Sequence, residues 1–369
     1  MVDRETKMNS RERLLAALDR RVPDRLPVTT HHLMPSFLAG ISEREFFDRF
    51  GLDAIRWVTP LRHNATVPAD EWCVQCEDIP DFACRTTRFH IATPSGMLSM
   101  VVQDDGRTEW VRERLIKKKT DIELIARFAP VQPCDIEQVN REVADFSVRG
   151  IVRGAIPGFP IYGQPGCWQD AAVLFGIEPL IVETFDDPVW VTELLAILQH
   201  RKLAWLRSAQ GAQFDLLELG GGDASSSVIS PAIFDRFVAP FDAPLIAAAH
   251  QASLRVVYHT CGGMMAILER VADMGPDAME TFTPRPMGGD ADLREAKRRI
   301  GHRVCMIGGF DQFHHFVGCS PEETRRAVRR CFEEAGSAGG YVLAPSDHFF
   351  EAEDKLLHAY AAEALSCMY

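Results

Sequence analysis

The chain has 369 residues, 46% hydrophobic and 25% charged, an ordinary balance for a soluble globular enzyme. That length exceeds the usual single-domain range, yet one large α/β barrel with insertions absorbs it. A formal net charge of −12 argues against a nucleic-acid backbone as partner, and no apolar run reaches the roughly 18 residues of a membrane span.

The opening Met1-Val-Asp-Arg-Glu-Thr-Lys7 is charged and lacks the apolar stretch of an export signal. Ten cysteines fall outside any disulfide framework, so the cytoplasm is the expected compartment. Asn9-Ser-Arg-Glu12 forms a capping-box pattern, and Leu14, Leu15 and Leu18 give the helix behind it one apolar stripe. Leu26-Pro-Val-Thr-Thr30 reads as a short strand ending at His31-His32, followed by helix near 42–50 and a second strand over Asp53–Val58. Between about 70 and 118 the pattern becomes an antiparallel meander, with turns at Pro94-Ser-Gly96 and Asp104-Asp105-Gly106. Strands are then expected at Gly150–Ile156, Phe214–Leu219, Leu254–His259, Asp277–Thr281, Arg303–Ile307 and Gly340–Ala344, with helices such as Pro231–Ala252, Asp290–Ile300 and Pro321–Ala335 between them. Eight alternating units favour a closed (β/α)8 TIM barrel over an open sheet. The expectation is one barrel domain over 1–369, with a β-hairpin insertion at about 70–118.

In such a barrel the C-terminal strand ends form the active face. His31 and His32 follow the first strand, Trp57 closes the second, and Gln164 lies beyond the third. Glu218 precedes a Gly220-Gly-Gly-Asp223 loop, and Glu280 ends the sixth strand before Phe282. Asp311 follows the seventh strand; Asp347 and His348 follow the eighth. The fifth strand, in Leu254-Arg-Val-Val-Tyr-His-Thr-Cys-Gly-Gly263, carries His259 and Cys261 two residues apart, so an imidazole and a thiol face one space. Both suit Zn²⁺. Taken alone each residue has a plain structural role open to it, and Cys73-Val-Gln-Cys76 opens no βα unit; the convergence at one end is the signal.

Tyr258-His-Thr-Cys-Gly-Gly263, Ile307-Gly-Gly-Phe-Asp311 and Gly340-Tyr-Val-Leu-Ala-Pro-Ser346 resemble the uroporphyrinogen decarboxylase superfamily, and within it the corrinoid-linked methyltransferase branch. The Thr93-Pro-Ser-Gly-Met-Leu98 turn, Leu115-Ile-Lys117 and Ser230-Pro231 match as well, so the resemblance runs from about Ser10 to the C-terminus. It implies a (β/α)8 barrel and zinc held by His-x-Cys plus a cysteine after the last strand. Carried over, His259 and Cys261 match as ligands, Asp347 stands where the second thiolate belongs, and Glu280 fits a ligand position of the similar cobalamin-independent methionine synthase barrel. The decarboxylase's Arg-rich N-terminal motif is missing, for Val28-Thr-Thr-His-His-Leu-Met-Pro35 has no arginine to clamp a carboxylate-rich substrate.

The resemblance therefore implies a metal-dependent methyltransferase moving a methyl from a small methoxy or methylamine-type donor to a corrinoid carried by a partner protein. Asp347, His348, Glu218 or Asp223 would supply the proton for the leaving group. His31, Trp57, Gln164, Phe282 and Asp311 would meet the substrate. Two other readings stand beside it: a metal-dependent lyase or decarboxylase working without corrinoid, and a non-catalytic metabolite or tetrapyrrole binder. A homodimer is common in the families resembled.

Overall fold

The computed structural model describes residues 7–38, 40–59, 61, 71–80 and 83–369. The first six residues of the charged opening, and residue 70 at the start of the expected insertion, lie outside them. Strands β1 Ala54–Trp57, β2 Cys73–Asp78, β3 Arg85–Thr93, β4 Gly96–Asp104, β5 Glu109–Glu113, β6 Gly150–Ala155, β7 Leu216–Gly220, β8 Val256–His259, β9 Ala278–Thr281, β10 Cys305–Gly308 and β11 Tyr341–Val342 fall into two sheets. One is parallel with order β1-β6-β7-β8-β9-β10-β11; the other is the antiparallel meander β2-β3-β4-β5. Among the described residues no helix is long and apolar enough to cross a membrane.

The first expected strand, Leu26–Thr30, is reduced to a bridge. Thr29 N donates to Leu343 O and Leu343 N to Pro27 O, both at 2.9 Å, while Asp53 N donates to Val28 O at 2.7 Å. Pro27 has no N–H to give, which limits the ladder. The segment nonetheless joins β11 to β1 and closes the seven strands into a barrel of eight staves.

Alternation along the strands turns Ile55, Ile151, Leu216, Val257, Ala278, Ile307 and Val342 inward. There they pack on Leu14, Ala17 and Leu18 of helix Ser10–Leu18, which plugs the N-terminal end and whose capping box forms as the sequence predicts. Two residues further along five consecutive staves the inward side chains become Trp57, Arg153, Glu218, His259 and Glu280. The barrel interior thus changes from hydrocarbon to charge within one layer, and the charged layer is the floor of the mouth.

The N-terminal rim is tied by a repeated device. Asp53, Asp215 and Asp277 each stand just before a strand and donate their N–H to Val28, Val152 and Val256 O at 2.7, 3.0 and 2.9 Å. Each carboxylate accepts the N–H of the same valine, at 3.0, 2.9 and 2.8 Å. Arg13 and Arg25 flank Asp53, Arg11 flanks Asp215, and His250 flanks Asp277. Asp215→Ala leaves the buried Val152 N–H without its side-chain acceptor and the Arg11 guanidinium with only the Gly150 carbonyl. It is expected to cost about 1–3 kcal/mol of unfolding free energy in urea; an unchanged midpoint would show that this rim contributes nothing.

Candidate functional site

Arg153 organises the floor of the mouth. Its guanidinium is buried and donates to both oxygens of Glu280, at 2.8 and 2.5 Å, and to Glu218 at 2.6 Å. One face of it lies over Trp57, 4.3 Å from the ring centroid. His259 Nδ1 meets Glu280 Oε1 at 2.9 Å. Glu280 therefore sits between two cations. Burial opposes its charge, but Arg153 and His259 hold its carboxyl well below the usual carboxylate range. Burial opposes the His259 cation too, yet the Cys261 thiol and the carboxylates of Glu280 and Glu218 raise it well above an ordinary imidazole.

The loop after β7 supplies the lid over Cys261. Gly220 takes a φ of +103°, and a Cβ there would lie 2.4 Å from His259 O; a Cβ on Gly222 would lie 2.6 Å from Cys261 Sγ. Only backbone without side chains passes that close to the thiol. Directly beyond Glu280, Thr281 and Phe282 both have positive φ, 81° and 46°, a strained pair of the kind that gathers at working sites.

A second group of side chains stands beside the first. His31, from the end of the bridging stave, lies 4.7 Å from His348 and 5.6 Å from His259 between ring centroids. His32 packs edge-on to Trp57 at 5.3 Å and lies 5.9 Å from His348. Strand alternation predicts that only one of His31 and His32 faces the mouth; the regular backbone ends before them, and both rings reach it. Burial pushes the pKa of His31 well below the ordinary value, that of His32 down to about 4, and that of His348 down as well. All three shifts favour the neutral imidazole.

The four expected ligands His259, Cys261, Glu280 and Asp347 do not gather at one point. Donor atoms within 4.8 Å of one another form two groups among the described residues: Glu218, His259 and Glu280, and separately His31, Asp347 and His348. Cys261 stands beside His259 and belongs to neither group. Other expected site residues are engaged elsewhere. Asp223 exchanges hydrogen bonds with the Gln169 side chain at 2.9 and 2.6 Å, and burial raises its carboxyl. The Gln164 backbone N–H donates to Asp170, and its backbone carbonyl accepts from Lys202. Phe282 is fully buried in the core, and Asp311 caps the turn at His314.

Beside the mouth lies a cavity of about 590 Å³, lined by His32, Trp57, Phe159, Ile161, Arg201 and Lys202 among others. It reaches the charged floor through His32 and Trp57. Arg153 is the residue of this charged floor that strand-end reading passes over. The signal was present, for it is the one charge in the apolar run Gly150-Ile-Val-Arg-Gly-Ala-Ile156.

A methyltransferase from Methanosarcina mazei shares this fold over 97% of this chain and 98% of its own, with a TM-score of 0.65 at 15% sequence identity. Uroporphyrinogen decarboxylases of Neisseria meningitidis, from serogroup C and serogroup A strains, are each 29% identical over 126 residues, 33% of this chain and 33% of the relative. The match thus spans about a third of the length of those curated relatives. The pattern of the uroporphyrinogen decarboxylase (URO-D) family matches residues 126–349, a stretch that runs from before β6 through the Asp347-His348 loop. That is more than half of the chain, and this protein belongs to the URO-D family.

Proposed function

We propose that this chain is an enzyme of the methyl-transfer type, which takes a small methoxylated or methylamine-type donor at the barrel mouth and passes its methyl to a corrinoid held by a separate protein. Family membership and the full-length likeness of fold to a methyltransferase support the class. The observation that carries the reading is that the cations around the mouth are already engaged. Arg153 is bound to Glu218 and Glu280, Arg201 to the carbonyls of Ala129 and Pro130, and Lys202 to Asp170 and two carbonyls. A porphyrinogen bearing many carboxylates needs free guanidinium partners. A methylated donor without carboxylates needs none, and a cavity of about 590 Å³ suits a small molecule.

The corrinoid supplies the nucleophile that accepts the methyl. This chain binds the donor and deals with the charge left behind. Trp57 and His32 wall the donor, and His259, fixed through Nδ1 by Glu280, is the proton donor. When the carbon–oxygen or carbon–nitrogen bond breaks, its electron pair stays on the heteroatom, which takes the proton from His259. Glu280 remains ionised because Arg153 stays beside it. The thiolate-rich zinc set that the resemblance implies does not fit the donors present, since Asp347 stands in place of its second thiolate and falls in a different donor group from His259.

The test is a panel of methoxylated and methylamine donors with a reduced corrinoid protein, followed by the corrinoid's absorption spectrum. At least one donor is expected to change that spectrum, and only when enzyme and corrinoid protein are both present. Product release from the enzyme alone, with loss of carbon dioxide, would replace this reading with a lyase.

A further inference from the structure

We infer that His31, Asp347 and His348 form a thiolate-free site for a divalent transition-metal cation, separate from the His259–Cys261 pair. The three residues come from opposite ends of the chain, and barrel closure unites them. Thr29 and Leu343 are hydrogen-bonded neighbours, so the turns just beyond them emerge side by side. One donor atom from each residue lies within 4.8 Å of the other two.

The chemistry of the group points to a metal in three ways. His348 Nδ1 is buried with no hydrogen-bond partner, and its nearest carboxylate oxygen, Asp347 Oδ1, is 3.7 Å away. A buried polar nitrogen left unmet costs about 1–3 kcal/mol, which a coordinated ion removes. The ligands are also pre-positioned. Asp347 Oδ1 accepts the His348 N–H at 2.7 Å, while Gln312 donates to Asp347 O and His348 O and accepts from Ser346 N at 3.0 Å. Supporting bonds of that sort orient metal ligands. Charge then selects between the two donor groups. The Glu218–His259–Glu280 group already holds the Arg153 guanidinium, which an ion would have to displace. The His31 group has one carboxylate, two imidazoles and no resident guanidinium.

Two imidazoles and one carboxylate favour first-row transition ions over Mg²⁺ or Ca²⁺, and three protein ligands leave coordination positions open. Because His31 and His259 are 5.6 Å apart between ring centroids, those positions adjoin the proposed proton donor. The inference does not depend on methyl transfer, since binding is read on the resting protein.

Chelator-treated full-length protein is titrated with Co²⁺, and stoichiometry and absorption spectrum are recorded. One ion per chain is expected, without the near-ultraviolet band of a cobalt–thiolate bond. His31→Ala and His348→Ala should each weaken binding by at least about 10–100-fold, the loss seen even for supporting residues, while Cys261→Ser leaves it unchanged. Circular dichroism checks that each variant is folded, and His348→Asn serves where His348→Ala is not. A thiolate band in the unaltered protein, abolition of binding by Cys261→Ser, unweakened binding in folded His31 and His348 variants, or no binding at all would each overturn the assignment.

Discussion

Replacing Arg153 by methionine is expected to lower the unfolding free energy by about 3–5 kcal/mol, the cost of stripping one partner from a buried ionic group. The guanidinium is 2% exposed and serves two carboxylates, one of them, Glu280, only 1% exposed. Without it Glu218 and Glu280, with one stave between them and donor atoms within 4.8 Å, repel one another beside His259. Lost packing against Trp57 is a smaller effect, because methionine refills much of the volume. The two causes separate in the triple variant Arg153→Met, Glu218→Gln, Glu280→Gln, which removes the charges together. Urea unfolding should show most of the loss recovered there, since whole buried ion groups are often replaceable at little net cost. A single variant within about 0.5 kcal/mol of the parent, the range of an ordinary surface change, would mean that water reaches these carboxylates.

The same network shows what is and is not legible in the amino-acid order. The alternation that places His259 above Val257 and Glu280 above Ala278 also places Arg153 above Ile151 and Glu218 above Leu216. The inward charged layer was therefore readable from period two alone, Arg153 included. Which of its members bond to one another was not, because that depends on stagger between staves: Arg153 pairs in register with Leu216, while Glu218 lies opposite Ala155. Glu280, a metal-ligand candidate in the sequence, is a buried acceptor for Arg153 and His259 in the structure.

Strand-end position was a weaker guide. It selected His31, Asp347 and His348 one by one, and nothing in the chain order links residue 31 to residues 347 and 348 before the barrel closes. It also selected Asp311, which caps its own turn at His314, and Asp223, whose carboxylate accepts from Gln169 on the helix Cys167–Phe175. A polar residue in a tight turn has nearby backbone and side-chain partners that compete with any ligand. Whether it is free for chemistry is decided by those local bonds.

His259→Gln tests the proposed chemistry most directly, with an expected loss of about 10²–10⁴-fold in kcat, the usual contribution of a positioned proton donor. Glutamine keeps an N–H to offer Glu280, so the carboxylate stays satisfied and stability should change little. What it cannot do is deliver a proton. The loss should then depend on the donor. A leaving oxygen whose conjugate acid has a pKa of about 10, like a tyrosine phenol, needs the proton and should suffer the full effect. A leaving group acidic enough to depart as an anion should suffer far less. Donor binding, read from KM or by titration, should move little, because Trp57 and His32 wall the donor in the same reading. A uniform loss across the series would point the other way, to an imidazole that positions the donor or its neighbours without moving a proton. Glu280→Gln carries the argument one step outward: it removes one of the charges that favour the His259 cation, so it should show the same leaving-group dependence with a smaller amplitude.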